Sequence, residues 1–206
     1  MAATTMITEL EAVNMMLAGS QRPQVAAISP APNGDVTNAV FLLEQKVRTV
    51  QAEGWYFNTE YDVQIAPTAD EIILPTDAIR VDLDPNGMAE LGTAEINPTT
   101  NVCRRDTRLY NLDDHDYEFT ESVSLMVVYQ LTWDELPPTV RHYIALAAAV
   151  DLQNVILGDK QQDALLRAAM GNARALLQVE EASVADWNSQ QNNAVLRVTS
   201  RGAFRG

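Results

Sequence analysis

The residues best equipped for chemistry cluster at Asp113-Asp114-His115-Asp116, with Glu118 and Glu121 close behind. Such a run suggests a calcium loop of the helix-loop-helix type, which also needs a glycine at its sixth position and a glutamate at its twelfth. Counted from Asp114, those positions hold Phe119 and Leu125, so the match fails. A zinc site would draw on histidine and cysteine. The chain offers one further histidine, His142, far away in sequence, and one cysteine, Cys103. The run therefore reads as a solvated acidic turn, with no metal and no cofactor expected. His142, beside Arg141, reads as a surface or interface residue.

Cys103 is followed by Arg104 and Arg105, neighbours that favour a thiolate. The plainer expectation is a free thiol in a strand or turn. Carboxylate pairs for glycoside hydrolysis can always be drawn from 28 acids, so their presence decides nothing. No Gly-rich phosphate loop, nucleophile elbow or Cys/His pairing occurs, and nothing positive supports an enzyme. The 28 acids face 14 bases, for a formal charge of −14. That charge repels nucleic acid and argues against sequence reading, while remaining compatible with an acidic wall past which DNA slides. The start Met1-Ala2-Ala3-Thr4-Thr5 lacks the basic and apolar regions of a signal peptide. The most apolar stretch, Ile144 to Val150, is too short to span a bilayer, so synthesis in a cytosol and no membrane partner are expected.

These groups must be positioned by four helices and a β-rich block. Met6, Leu10, Val13 and Leu17 recur at helical spacing over residues 6–18, Thr8 with Glu11 fits a capping box, and Gly19 reads as a stop. A loop from Gln21 to Gly34 follows. A second helix is predicted from Asp35, as N-cap, to Glu53, with Val36, Val40, Leu43, Val47 and Val50 on one stripe and Gln45, Arg48 and Gln51 off it. Gly54 suits the left-handed position after its end. Strands are predicted at Tyr56–Ile65, Ile72–Pro75, Ala78–Leu83, Leu109–Leu112 and Ser122–Leu131, with a turn at Asp84-Pro85-Asn86-Gly87. Helix returns after Trp133, with Pro137 and Pro138 in its first turn, and runs to Leu157 before Gly158. Asp159 then caps a long helix to Trp187, with Leu166, Ala169, Met170, Ala173, Leu176 and Leu177 as its buried stripe. The alanines at 145, 147, 148, 149, 168, 169, 173 and 175 allow close helix approach.

The predicted fold is mainly α with a β insertion (α+β): a four-helix bundle with a β-rich lobe between helices two and three. By residue, 1–54 hold the first two helices, 55–131 the insertion, 132–188 the last two helices, and 189–206 an extended, flexible C-terminal tail. One cooperative helical core is expected, with the β block as a projecting lobe. The tail carries Arg197, Arg201 and Arg205 with no acid, alongside apolar Val195, Leu196, Val198 and Phe204. A purely solvating tail needs no apolar residues, so this segment is expected to order on a partner.

Two stretches, Leu10-Glu11-Ala12-Val13-Asn14-Met15-Met16-Leu17 and Val47-Arg48-Thr49-Val50-Gln51-Ala52-Glu53-Gly54-Trp55-Tyr56-Phe57-Asn58-Thr59-Glu60, resemble the tail tubular protein A family. Further matching pieces follow in order: Ile73-Leu74-Pro75, Ala78-Ile79-Arg80-Val81-Asp82, Arg108-Leu109-Tyr110, Leu136-Pro137, Arg141-His142-Tyr143-Ile144 and Gly158-Asp159. The succession spans roughly residues 6–180. It departs from the family at Ala18-Gly19-Ser20-Gln21-Arg22-Pro23, where Ile-Gly-Glu before Pro is the family's habit.

The resemblance implies a head-to-tail adaptor of podoviruses. In that role the protein is a structural virion component at the head–tail junction, in a ring of twelve between the portal protein and the tail nozzle protein. DNA would pass through its channel during ejection. Residues Val195, Arg197, Val198, Arg201, Phe204 and Arg205 are then expected to dock on the portal. Trp55 reads as a core plug between the second helix and the β block, or as an anchor between subunits; Phe57, Trp133 and Tyr143 carry the same two readings. The alternative from another class is a tail-associated glycan hydrolase or glycan-binding module.

Overall fold

A computed structural model describes residues 6–84 and 101–191, with side chains of the last helix described through Val184. The turn at 85–87 and the whole tail from 192 onward lie outside the described residues. The class is α+β. In chain order the elements are α1 (Glu9–Gly19), α2 (Gly34–Ala52), β1 (Thr59–Ile65), β2 (Ala78–Leu83), β3 (Val102–Arg105), β4 (Arg108–Asn111), β5 (Val123–Tyr129), a 3-10 turn (Trp133–Glu135), α3 (Pro138–Ile156) and α4 (Lys160–Gln191). They divide into two compact units, residues 1–47 with 136–206, and residues 48–135.

In the helical unit, α1 begins on the expected capping box. Glu11 N–H donates to Thr8 Oγ1 at 3.2 Å and Thr8 N–H to Glu11 Oε2 at 2.8 Å. Gly19 is not the stop: it closes the helix itself, and the left-handed residue is Gln21, at φ 55°. A Cβ on Gly19 would stand 3.3 Å from Leu166 Cδ2 and 3.8 Å from Ala149 Cβ, so the glycine serves close packing against α4 and α3. Asn14 holds the following loop by exchanging hydrogen bonds with the Val25 backbone at 2.8 and 3.0 Å. The cap of α2 is Asn33, whose side chain accepts from Val36 N–H at 3.0 Å; Asp35 instead pairs with Arg22 at 3.2 Å.

Both α1 and α4 pack on α3. Val140, Tyr143, Ile144, Ala145, Ala147, Ala148, Ala149, Val150 and Leu152 bury α3 all round, and its alanines let the neighbours approach closely. The helix α2 adds buried Val36, Ala39 and Leu43, and Lys46 pairs with Asp151 of α3 at 2.8 Å. Arg141 is itself buried. Its Nε donates to Leu136 O at 2.8 Å and its Nη1 to Ile7 O at 3.2 Å, tying the start of α1 to the turn before α3.

At the far end of α3, Gly158 (φ 64°) and Leu157 both give their N–H to Gln153 O, and Asp159 caps α4 through Gln162 N–H at 2.8 Å. The helix continues past Trp187 to Gln191. Its buried line runs through Ala173 and Leu177. Leu176, expected on that line, is 62% exposed, because one residue of helical rotation turns it away from α3. Ala168 and Ala175 are exposed as well.

The β unit has its own core of Ile72, Leu74, Ala78, Val81, Val102, Leu109, Phe119, Val123, Leu125 and Val127. Strand β5 anchors this core because it is apolar on both faces and is paired on both edges. It is the centre of an antiparallel sheet of order β1-β5-β2, and Val123, Leu125, Val127 and Val128 are all buried. The β3–β4 hairpin forms a second sheet. Residues 72–75 make single bridges to Arg108 and neighbours rather than a strand. Strand β1 starts at Thr59, later than expected, because Trp55–Asn58 closes a turn with Asn58 N–H donating to Trp55 O at 3.1 Å.

Candidate functional site

The segment Gly54 to Glu60 is internal joinery as well as signature. Gly54 sits at φ 78°, and a Cβ there would lie 2.6 Å from Arg80 Nη2 and 3.3 Å from Val128 Cγ2. Trp55 is 7% exposed, and its indole N–H donates to Val50 O at 2.9 Å, closing the end of α2. Asn58 is the hub. Its Oδ1 accepts from Trp55 N–H at 2.9 Å, and its Nδ2 donates to Gln51 O at 2.9 Å and to Tyr129 O at 2.8 Å. Tyr129 N–H returns to Asn58 O at 2.8 Å. One amide thus fixes the helix end, the turn and the central strand.

Beside this hub opens a cleft of about 300 Å³, lined by Phe57, Asn58, Glu60, Asp77, Tyr129 and Leu131. The turn before β2 forms one wall, held by Gln130 N–H donating to Asp77 O at 2.8 Å. Burial raises the Tyr129 hydroxyl above its usual titration range. The charges of Glu60 and Asp77 raise it further, and Glu60 also takes its hydrogen bond. At neutral pH the phenol is therefore a donor flanked by two carboxylates. Glu60 and Asp77 are exposed, and among the described residues neither is in an ion pair. The arrangement is an acidic mouth over an aromatic floor, suited to holding a cation or a polar segment.

Directly after Glu60 the register of β1 shifts, between Glu60 and Val63. Asp62 there takes φ 55°; its N–H donates to Asp84 Oδ2 at 2.6 Å, and its Oδ1 accepts from Ser124 Oγ at 3.0 Å. This bulge leaves Tyr61 58% exposed. The β3–β4 hairpin carries a stack of cations and rings: Arg105 over Tyr110 at 3.4 Å, Arg108 over Tyr117 at 4.2 Å, and the two rings edge-to-face at 4.9 Å. Arg108 also pairs with Glu71 at 2.8 Å.

The acidic run is a turn built on Asn111, whose Oδ1 accepts from Asp113 and Asp114 N–H at 2.9 and 3.3 Å. Its Nδ2 donates to Asp114 Oδ2 at 2.7 Å, and His115 takes the left-handed position at φ 61°. His115 and His142 are exposed and Cys103 is half-buried. Among the described residues no group of three or more His, Cys, Asp or Glu is placed to hold a metal ion, and no helix is long and apolar enough to cross a membrane.

Of the expected anchors, Phe57 and Trp133 are half-buried, and Phe57 meets Tyr56 edge-to-face at 5.6 Å. Tyr143 is 5% exposed and accepts from Arg174 Nη1 at 2.8 Å. Val195, Arg197, Val198, Arg201, Phe204 and Arg205 lie outside the described residues. No local pattern marks Gln51, Asn58, Asp77 and Tyr129 as partners, since they come from three separate segments.

The model of the family of tail tubular proteins matches residues 10–187, most of the chain. No curated protein matches it. The chain belongs to the tail tubular protein family, and with it to the structural proteins of phage tails, which assemble with other tail and virion components.

Proposed function

We propose that this tail tubular protein is the head-to-tail adaptor of a short-tailed phage, a ring between portal and nozzle through which DNA is ejected. The observation that carries the reading is the family match over residues 10–187, joined to the collinear motifs from Leu10 to Asp159. A ring requires heterologous contacts, each copy offering one face to the next. Exposed Leu165, Leu176 and Val179 on α4 and Phe41 on α2 are candidates for that contact. With −14 on each of twelve copies, whatever share of the acids faces the channel would repel DNA phosphates and limit adhesion during passage. The basic, apolar segment 194–206 is the part that meets the portal. Gold-labelled antibody against the protein should decorate intact virions at the head–tail junction; label at the distal tip would contradict the assignment.

A glycan-binding or glycan-hydrolysing module draws support from one place, the cleft where Phe57 and Tyr129 lie beside Glu60 and Asp77. Incubation of the purified protein with oligosaccharides tests it: binding or cleavage lost in E60Q/D77N would favour this reading.

A further inference from the structure

The cleft beside Asn58 combines two exposed carboxylates with two half-buried aromatic rings, and its lining has no cation. Such a mouth favours a guanidinium, which pairs with carboxylates through its edge and stacks on rings through its face. The sequence holds one segment of matching character. Residues 189–206 carry Arg197, Arg201 and Arg205, no acid, and a phenylalanine at 204. That segment has charge +3, so the remainder of the chain has −17 (−14 less +3).

We propose that the acidic–aromatic cleft of Phe57, Glu60, Asp77, Tyr129 and Leu131 is a docking site for the C-terminal segment, residues 194–206, of a second copy of this chain. An arginine of the segment enters between Glu60 and Asp77 with its guanidinium against the Tyr129 ring, and a neighbouring apolar side chain meets Leu131 and Phe57. A segment passed from each copy to the next is a heterologous contact of the kind a ring uses. The inference rests on the adaptor reading only in needing neighbouring copies. In the free protein the cleft engages the segment that the portal takes in the virion.

Limited trypsin digestion of the full-length protein tests this, with cleavage after Arg197, Arg201 and Arg205 followed by mass spectrometry. Cleavage at these sites should slow several-fold from dilute to concentrated protein, and the dependence should vanish in E60Q/D77N, whose thermal unfolding serves as the folding control. Added synthetic peptide 194–206 should restore cleavage in the wild type. Cleavage rates independent of concentration, or a double variant that behaves as wild type, would overturn the proposal. Attachment to portal-filled heads is scored on the same proteins: loss on deleting 194–206 with retention in E60Q/D77N separates the cleft from the portal reading.

Discussion

Gln51 and Leu131 are eighty residues apart and bound twice: Leu131 N–H donates to Gln51 Oε1 at 2.7 Å, and Gln51 Nε2 donates to Leu131 O at 3.1 Å. The side chain of Gln51 is fully buried, so it acts as a short piece of β-ladder between the end of α2 and the end of β5. Gln51→Leu keeps the volume but strands a backbone donor and acceptor. It should lower unfolding free energy by about 1–3 kcal/mol, read from chemical denaturation. An unchanged midpoint would show that water satisfies both groups.

Gly54 and Gly158 share a left-handed backbone but differ in surroundings. A Cβ at Gly54 meets the Arg80 guanidinium and Val128, whereas one at Gly158 meets nothing within 4 Å. Gly158→Ala should therefore cost about 1 kcal/mol of backbone strain alone, and Gly54→Ala clearly more. Thermal melts of the two variants give the comparison; equal losses would mean that Arg80 swings away freely.

Much of this was legible where the signal is local. The Thr8–Glu11 box, Gly54, Gly158 and the Asp159 cap are each set by residues within a turn of one another, and all stand where expected. The role of Gln51 is not local: it stands off the apolar stripe of α2, and its partner Leu131 is eighty residues away. Strand β3 carries little signal of its own because Val102–Arg105 is short and half polar, and its pairing with β4 defines it. The cleft was invisible for the same reason: Glu60, Asp77 and Tyr129 meet through strand pairing. The run Ile72–Pro75 shows the opposite error, since apolar residues there fill the core without a ladder.

The hairpin at Thr68–Glu71 turns through Ala69 and Asp70, both left-handed at φ 53° and 62°. A two-residue turn of this kind prefers Asn-Gly, and alanine is strained in it. A69N/D70G should raise stability by about 0.5–1 kcal/mol without altering assembly. Destabilisation in a denaturant titration would place the turn in a role beyond chain reversal.

Acid should weaken the helix starts in a defined order of cause. The Thr8 backbone N–H, then its hydroxyl, hold Glu11 below its ordinary range; Thr132 does the same for Glu135, and the Arg167 hydrogen bond for Asp163. A carboxylate with a lowered folded pKa contributes stability above its unfolded pKa and loses it as pH falls through the folded one. Stability should therefore hold above about pH 5 and decline below about pH 4, with a shallower decline in Glu11→Gln. Parallel curves for variant and wild type would remove the capping box from the account.

The central claim is that copies of this chain close into a ring on a portal. Mass measurement of the isolated protein, alone and after mixing with portal, tests it most directly. The expected result is a discrete complex holding one closed ring per portal, of about the twelve copies that the family resemblance implies. A mixture that yields only free subunits and free portal would contradict it.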